Sequence, residues 1–453
     1  MKRRLLYVAL VSLFAGISLL HARQPDRGRE DSTIAVARAF VGMFTSGEDA
    51  RCVALFDSTM KMLMPESKVK EARDSVVARF GAFKTQLQIR TQKYMVYDIV
   101  FVTCQFERDR ADARVVLNAS RKVAGLFFSR ALAEYRAPAY VRRETFLEEE
   151  VIVGSGKWAL HGTLTLPTRA KSSSAIVLVH GSGPNDRDET IGPNKPFRDL
   201  AWGLASTGVA VLRYEKRTKE HGASLIEMKR TLTVKDETID DALAAVELLR
   251  KTEGIDKGRI FVLGHSLGGM LVPRMGMGDP NIAGFVVLAG ATRPLEDIIV
   301  EQTSHVLSLS GVTAVQQKKQ VAEIEKQRDM VKRLTKADTA SADSYFAAPA
   351  SYWIDLQGYD PPRFAQSLKM PLLILQGERD YKVTMRDFGR WKAALQGRKT
   401  VTFKSYPRLN HLFLEGEGIS GPAEYENVGH VEQEVIEDIA RWLKKIAIHK
   451  KDS

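Results

Sequence analysis

Two regions of the chain differ in the periodicity of their hydrophobic residues. In the first, apolar residues recur at helical spacing from Ile34 to Phe44, behind Asp31-Ser32 as a candidate N-cap, and a second helical stretch covers 67–80. Alternating or β-rich runs follow at 85–92, 95–106, 113–117 and 123–128. Helices followed by an antiparallel sheet predict a small α+β domain.

From about Glu148 onward, short apolar runs alternate with helical segments. The runs are continuous rather than alternating, as is typical of strands buried on both faces of a parallel sheet; they cover 175–180, 209–214, 260–264, 285–288 and 372–375. The clearest helical segment between them covers 236–251. This alternation predicts a doubly wound α/β domain with a mostly parallel sheet.

A long, charged and mostly helical stretch at 292–369 interrupts this alternation. Its length at this point predicts a helical cap inserted into the domain, and a packed surface helix is the alternative. The predicted organisation is therefore a signal segment at 1–22, an N-terminal α+β domain at 23–147, and an α/β domain at 148–453 that carries the cap.

Length and composition agree with two globular domains. The 453 residues exceed the roughly 250–300 at which a single core stops growing. With 44% hydrophobic and 27% charged residues, the chain is neither disordered, collagenous nor a multi-spanning membrane protein. The net charge of +12 raises the question of nucleic-acid binding. Basic residues cluster at the termini, at 2–4 and 444–451, which favours a solubilising surface charge and no nucleic-acid partner.

The N-terminus has the pattern of an export signal. Lys2, Arg3 and Arg4 precede a charge-free run over 5–20, which as a helix would measure about 24 Å, short of a roughly 30 Å hydrocarbon core. We therefore expect a secretory signal and a periplasmic or secreted protein, with an uncleaved membrane anchor as the alternative. In that environment Cys52 and Cys104 either form one disulfide or remain two buried thiols. No HExxH or paired CxxC motif indicates a zinc site.

The strongest chemical signal is the sequence Gly264-His265-Ser266-Leu267-Gly268-Gly269. It follows a predicted strand and precedes a helical run at 267–277, which is the context of a nucleophile elbow. A sharp strand-to-helix turn of this kind presents a serine hydroxyl at a helix N-terminus, where developing negative charge is favoured. Ser266 is the candidate nucleophile.

A serine needs a base and an orienting carboxylate, in the chain order Ser, Asp or Glu, His. Asp380 lies just past the strand at 371–375 and is the candidate acid, with Glu378 as its competitor. His411, in a later loop, is the candidate base. His430 precedes the last helix, where a capping or surface role is expected, and His265 within the elbow is expected to be structural.

Two backbone N–H groups should stabilise the oxyanion. One is that of Leu267, the residue after the nucleophile, and the other comes from the loop His180-Gly181-Ser182-Gly183-Pro184 that follows an early strand. Ser182 is the preferred second donor and Gly181 the alternative. His180 belongs to the strand end and precedes Ser266, so it is not expected to be the base.

These four motifs, HGSGP, GHSLGG, GERD and NHLF, together resemble the α/β-hydrolase superfamily over roughly 150–448. The stretch 180–217 is similar to secreted or thermophilic bacterial carboxylesterases that bear an extra N-terminal domain, and the predicted N-terminal domain resembles nuclear-transport-factor-like domains. The resemblance implies hydrolysis of small-molecule carboxylic esters through an acyl-serine, with no cofactor. Glu215 stands where such relatives often carry Asp, which should affect loop support rather than chemistry.

Two other functions fit the same residues. A peptidase-like amide hydrolase would need a cap carboxylate to capture the substrate amine; the candidates are Glu301, Glu323, Glu325 and Asp355. An exported binding protein with a vestigial site is the third possibility. Acyl chain length and oligomeric state do not follow from the sequence.

Overall fold

The computed structural model describes residues 27–94, 97–131, 135–168, 172–222, 231–341 and 343–449. The predicted signal segment lies outside these residues. The chain divides into two compact units, one ending at Glu134 and one starting at Tyr135. None of the helices in the described ranges combines the length and the apolarity that crossing a bilayer requires.

The N-terminal unit places helices before an antiparallel sheet, as predicted. Its helices are α1 (Arg27–Ser46), α2 (Asp49–Leu55), α3 (Ser58–Leu63) and α4 (Glu66–Phe80). Its strands are β1 (Phe83–Tyr94), β2 (Tyr97–Phe106), β3 (Arg110–Leu117) and β4 (Val123–Arg130), which pair in that order. Asp31 and Ser32 lie inside α1 and do not cap it, because the helix already includes Arg27. Helices α2 and α3 were not predicted, since they are too short to show a helical period.

Cys52 and Cys104 are free thiols in the core of this unit. Both are fully buried, Cys52 on α2 and Cys104 on β2. Burial raises the pKa of Cys52 to about 11 and that of Cys104 to about 12, because a thiolate is poorly solvated there. Of the two alternatives, the structure therefore contains the buried thiols and no disulfide between this pair.

The second unit is built from strands and helices in alternation. Its first part contains β5 (Phe146–Val153), β6 (Leu160–Pro167), β7 (Ser173–Val179), α5 (Pro196–Ser206), β8 (Ala210–Tyr214), α6 (Arg217–Glu220), α7 (Asp240–Lys251), β9 (Ile255–His265), α8 (Leu267–Gly278) and β10 (Phe285–Leu288). The inserted segment then contains α9 (Leu295–Leu309), α10 (Ala314–Arg333), β11 (Ser344–Tyr345), β12 (Ala348–Pro349), α11 (Ala350–Leu356) and α12 (Pro361–Ala365). The last part contains β13 (Leu372–Gly377), α13 (Met385–Leu395), β14 (Val401–Tyr406) and α14 (Gln433–His449).

Eight of these strands form one sheet in the order β14-β13-β10-β9-β7-β8-β6-β5. All neighbours are parallel except the pairs that involve β6, which runs antiparallel to both β5 and β8. Successive residues of β7 enter different cores: Val177 packs with α7 and α8, whereas Ile176 and Leu178 pack with α5 and α14. Burial on both faces explains the continuous apolar runs, and the doubly wound fold is confirmed. The antiparallel strands β5 and β6 were not predicted.

The boundary between the units lies earlier than the predicted 147/148. The Tyr135 hydroxyl donates to Asp199 at 2.6 Å, and the Tyr140 hydroxyl donates to the carbonyl oxygen of Val431 at 2.7 Å. These contacts tie residues 135–147 to α5 and to the loop before α14. The segment before β5 has no long regular element, so no periodic signal marked it as part of this unit.

The insertion between β10 and β13 is mostly helical, as expected, with a two-stranded hairpin that was not predicted. Its apolar stripe is only partly buried: Val331 is 1% exposed, whereas Val315 is 80% exposed. Gln302 Nε2 on α9 donates to the carbonyl oxygen of Lys382 at 2.9 Å. Helix α9 therefore packs beside the loop that follows β13.

Candidate active site

The sheet topology brings the predicted site residues to one edge. Ser266 follows β9, Gly181 lies just beyond β7, Asp380 just beyond β13 and His411 in the loop after β14. All four strands are parallel, so their carboxyl ends share the edge at which ligands of open α/β sheets bind.

Ser266 occupies a strained turn between β9 and α8. Its φ of 53° and ψ of −112° lie in a region that residues with side chains rarely adopt. A Cβ atom at Gly268 would lie 2.4 Å from the carbonyl oxygen of Val179, and one at Gly264 would lie 2.3 Å from Gly268. The two glycines therefore permit the close crossing of strand and helix, and the predicted strand-turn-helix is present.

His411 and Asp380 are joined directly. Nδ1 of His411 lies 2.6 Å from Oδ2 of Asp380, and both side chains are buried. The other carboxylate oxygen accepts the N–H groups of Lys382 at 2.7 Å and Val383 at 2.9 Å, while Gln376 Nε2 donates to Oδ2 at 3.1 Å. An ionised carboxylate only accepts hydrogen bonds, so the Nδ1 of His411 carries the proton and its Nε2 is left as the basic nitrogen.

The pKa of His411 lies below the ordinary 6.5 of histidine. Burial is the main cause, since an imidazolium is poorly solvated there, and the carboxylate of Asp380 opposes it. The ring is therefore neutral at neutral pH, which is the state that a general base requires.

Ser266 and His411 share this edge, but the described hydrogen bonds do not include one between Oγ of Ser266 and Nε2 of His411. The two positions are linked through the residue before the serine. Nε2 of His265 lies 3.0 Å from the carbonyl oxygen of His411, and the two rings have centroids 4.6 Å apart. His265 thus contacts the loop of the candidate base, which fits the structural role expected for it.

The competing residues have other partners. Glu378 is exposed and accepts a hydrogen bond from Ser405 at 2.7 Å, so Asp380 is the carboxylate that meets His411. His430 pairs with the buried Asp199 at 3.1 Å. Nε2 of His180 lies 3.0 Å from a backbone oxygen, and burial lowers its pKa to about 4.

The oxyanion candidates differ in whether their N–H groups are already engaged. The N–H of Gly181 donates to Oε1 of Glu189 at 2.7 Å. In the part of the chain that the structure describes, the N–H groups of Ser182 and Leu267 have no assigned acceptor. This difference favours Ser182 over Gly181 as the second donor.

Glu189 is a residue of the site that sequence reasoning missed. Its backbone has a φ of 50°, and its buried carboxylate meets the N–H of Gly181 and Nδ1 of His265, the latter at 2.8 Å. Burial alone would raise the pKa of Glu189, but His265 holds it below its ordinary value. The same pair raises the pKa of His265 in spite of burial. In sequence, Glu189 is one of several charged residues in a polar loop, so no signal separated it from the others.

Glu215 supports a neighbouring loop, as expected. Its carboxylate accepts a hydrogen bond from Nε of Arg187 at 2.8 Å. Arg187 also donates to Glu150 on β5 at 2.7 Å. Burial raises the pKa of Glu215. These contacts fix the loop that follows residues 180–184 to the antiparallel edge of the sheet.

A cleft of about 580 Å³ lies between α9 and α10, and Ser266 does not line it. Residues of both charges line the cleft, among them Arg293, Glu301 and Arg328. Among the described residues, no three His, Cys, Asp or Glu side chains are grouped as a metal site would need.

Comparisons with known proteins match both units. Residues 170–417 match the family described as serine aminopeptidase, S33, and residues 37–126 match a family described as a protein of unknown function, DUF3887. Over 398 residues the chain is 38% identical to Esterase EstD of Thermotoga maritima. The matched region covers 86% of this chain and 92% of that protein.

Solved structures with lower sequence identity also match about two thirds of the chain. Est1E from Butyrivibrio proteoclasticus is 15% identical with a TM-score of 0.42, covering 67% of this chain and 99% of that one. A hyperthermophilic esterase from the archaeon Pyrobaculum calidifontis is 17% identical with a TM-score of 0.43, covering 66% of this chain and 86% of that one.

Proposed function

The chain belongs to the α/β-hydrolase family described as serine aminopeptidase, S33, and from this premise we propose a carboxylic ester hydrolase that works through an acyl-serine on Ser266. The identity of 38% to an esterase over most of both chains supports the ester substrate. The resemblance seen in the sequence motifs points to the same class of enzyme.

One observation carries the proposed mechanism. Nδ1 of His411 is hydrogen-bonded to Oδ2 of Asp380 at 2.6 Å. This pair lies on the sheet edge where Ser266 occupies a strained turn at the start of α8. The proposed nucleophile, orienting acid and base follow three strands of one sheet, in the chain order expected for this fold, which supports the proposal.

In the proposed reaction Ser266 Oγ attacks the acyl carbon while His411 Nε2 takes its proton. The N–H groups of Leu267 and Ser182 stabilise the negative charge that develops on the carbonyl oxygen. His411 then gives the proton to the leaving alcohol, and water releases the acid from the acyl-serine by the reverse steps. Asp380 holds the imidazole in the required tautomer and stabilises the imidazolium that forms.

The cap carboxylates do not favour an aminopeptidase. Glu301 is paired with Arg293, Glu323 with Lys326 at 3.1 Å, Glu325 with Arg328 at 3.7 Å and Asp355 with Arg274 at 2.8 Å. A carboxylate that already faces an intramolecular cation is a weaker ligand for a substrate amine. These pairings support an ester over an aminoacyl substrate.

The decisive experiment compares rates on two substrate series. p-Nitrophenyl esters of increasing acyl length and aminoacyl p-nitroanilides are measured with the wild type and with Ser266→Ala. We expect the wild type to hydrolyse the esters, and the loss of Ser266 to lower kcat by about 10⁶-fold, as for other serine hydrolases.

The matched control is Ser367→Ala, because Ser367 is an exposed serine whose hydroxyl donates, among the residues that the structure describes, to the carbonyl oxygen of Phe364 alone, at 2.8 Å. It should keep the wild-type rate. A fluorophosphonate probe followed by peptide mapping should label Ser266. Full ester hydrolysis by Ser266→Ala, or labelling of another residue, would refute the assignment, and faster hydrolysis of the anilides would reverse the substrate preference.

We also propose that the enzyme is exported. The basic residues at 2–4 followed by the charge-free run over 5–20 support this. Fractionation of the source cells, with N-terminal sequencing of the mature protein, tests it. Recovery of the intact chain from the cytoplasm would contradict export, and an intact chain in the membrane fraction would indicate the anchor instead.

A further inference from the structure

Lys216 is a buried cation beside the oxyanion loop. Its Nζ donates to the carbonyl oxygen of Gly181 at 2.7 Å and lies 3.3 Å from a carboxylate oxygen of Glu237. Only 2% of the Lys216 side chain and 6% of the Glu237 side chain are exposed. An ammonium group this deep is costly unless it is both paired and hydrogen-bonded, and here it is both.

The bond to Gly181 fixes more than one atom. The peptide bond between Gly181 and Ser182 is trans, since the described chain contains no cis peptide. In a planar trans peptide the C=O and the next N–H point in opposite directions. When Lys216 holds the carbonyl of Gly181 on its own side, the N–H of Ser182 must point away from Lys216.

This peptide lies against the candidate nucleophile. A Cβ atom at Gly181 would lie 3.1 Å from Cβ and 3.6 Å from Oγ of Ser266. The other polar group of Gly181, its N–H, is already held by Glu189 at 2.7 Å. Both sides of Gly181 are thus anchored by buried charged groups, while the N–H of Ser182 has no assigned acceptor among the described residues.

We propose that Lys216, held by Glu237, is a positioning residue that aims the Ser182 N–H at the oxyanion. This inference rests on the proposed function of Ser266. Preorganised donors stabilise a developing oxyanion because no reorganisation is needed during the reaction. Without the ammonium, the remaining donor to the carbonyl of Gly181 among the described residues is the neutral amide of Asn185, whose Nδ2 lies 3.2 Å away.

Glu237 connects this arrangement to the insertion. Its carboxylate also accepts hydrogen bonds from Thr218 Oγ1 at 3.1 Å and from the Tyr352 hydroxyl, on α11, at 3.0 Å. These two donors would remain if Lys216 were replaced, so Glu237 would keep hydrogen-bond partners in that variant.

The test is Lys216→Met, which keeps the length of the side chain and removes its charge. We expect kcat for a p-nitrophenyl ester to fall by about tenfold to a hundredfold, less than the 10²–10³-fold that follows complete loss of an oxyanion donor, with KM nearly unchanged. The matched control is Lys219→Met, a buried lysine three residues away, which should keep the wild-type kcat.

A second variant keeps the proposal testable if Lys216→Met does not fold. Lys216→Met with Glu237→Gln removes both charges, so no buried carboxylate is left without its cation, and circular dichroism and Tm confirm the fold. This double variant should show the same fall in kcat. Wild-type kcat in a folded variant of either kind would overturn the proposal.

Two matched ligands distinguish a positioning role of Lys216 from a general distortion of the active site. The serine hydroxyl adds to the carbonyl of an aryl trifluoromethyl ketone, and the adduct carries an oxyanion. The matching methyl ketone binds largely without this addition. The positioning role predicts that affinity for the trifluoromethyl ketone falls by the same factor as kcat/KM, while affinity for the methyl ketone is kept. Equal losses for both ligands would overturn it.

The same kinetic assay includes Ser266→Ala. This variant separates the positioning role of Lys216 from the proposed function of Ser266. If Ser266→Ala is inactive and Lys216→Met is fully active, the positioning role fails and the proposed function stands. If Ser266→Ala keeps its activity, the proposed function itself fails, and the role of Lys216 fails with it.

Discussion

Gly268 is the position where one added methyl group should disturb the proposed catalytic turn most directly. In Gly268→Ala the new Cβ would lie 2.4 Å from the carbonyl oxygen of Val179 and 2.8 Å from that of His180. Ordinary contact begins at 3.4 Å, so the nearer pair must separate by about 1 Å. Both are backbone oxygens, at the last residue of β7 and the residue after it, so no side-chain rotamer relieves the contact.

The size of the effect follows from that displacement. Overpacking of this kind costs about 1–3 kcal/mol of the free energy of unfolding. For a unit that runs from Tyr135 to Ser453, that lowers Tm by roughly 1.5–5 °C. The start of α8 carries both Ser266 and the N–H of Leu267, and a displacement of about 1 Å at reacting groups can lower kcat by about a hundredfold.

The assay is steady-state hydrolysis of p-nitrophenyl butyrate together with calorimetric Tm. Gly389→Ala is the control, because Gly389 lies within α13 and a Cβ there would meet no atom within 4 Å. Alanine favours a helix over glycine by about 0.5–1 kcal/mol, so this control should keep its kcat and gain slightly in Tm. Wild-type kcat and Tm in Gly268→Ala would refute the reasoning about the turn.

Three further predictions concern the acid, the base and the thiols. Asp380→Asn should lower kcat by about 10⁴-fold through the wrong imidazole tautomer, whereas Glu378→Gln should leave it unchanged; similar losses in both would contradict the assignment. Because the pKa of His411 lies below 6.5 and the base works when neutral, the acid limb of kcat/KM should be centred below pH 6.5. An acid limb centred above 6.5 would be inconsistent with the buried ring. Cys52 and Cys104 should react with a thiol reagent only after unfolding, and a reductant should leave Tm unchanged; rapid labelling of the native protein would contradict their burial.

Local patterns in the sequence were enough for most of the fold. The continuous apolar runs predicted the buried parallel strands, because a strand covered on both faces has no polar position to spare. The elbow at Ser266 was recognisable because its glycine spacing is a requirement of the turn itself. In the N-terminal unit, helices α1 and α4 and all four strands showed their own periodicity, whereas the short helices α2 and α3 did not.

The residues that the sequence left undecided depend on contacts between distant parts of the chain. Whether Asp380 or Glu378 meets His411 depends on which side of the strand end faces a loop 31 residues away. The boundary between the units lies earlier than the predicted one because the Tyr140 hydroxyl donates a hydrogen bond to the carbonyl oxygen of Val431, 291 residues later. The choice between a disulfide and two thiols likewise needed the positions of α2 and β2.

The sequence by itself therefore determined the family resemblance and the candidate residues Ser266, Asp380 and His411. It also determined the order in which these residues follow their strands along the chain. Only the tertiary structure decided that Gly181 is held between Glu189 and Lys216, an arrangement that supports the proposed role of Ser182 as the second oxyanion donor. The physical reason is that periodicity and turn chemistry are local properties of the backbone. The partner of a buried charge is set by packing, and Lys216 lies 35 residues from the carbonyl that it holds.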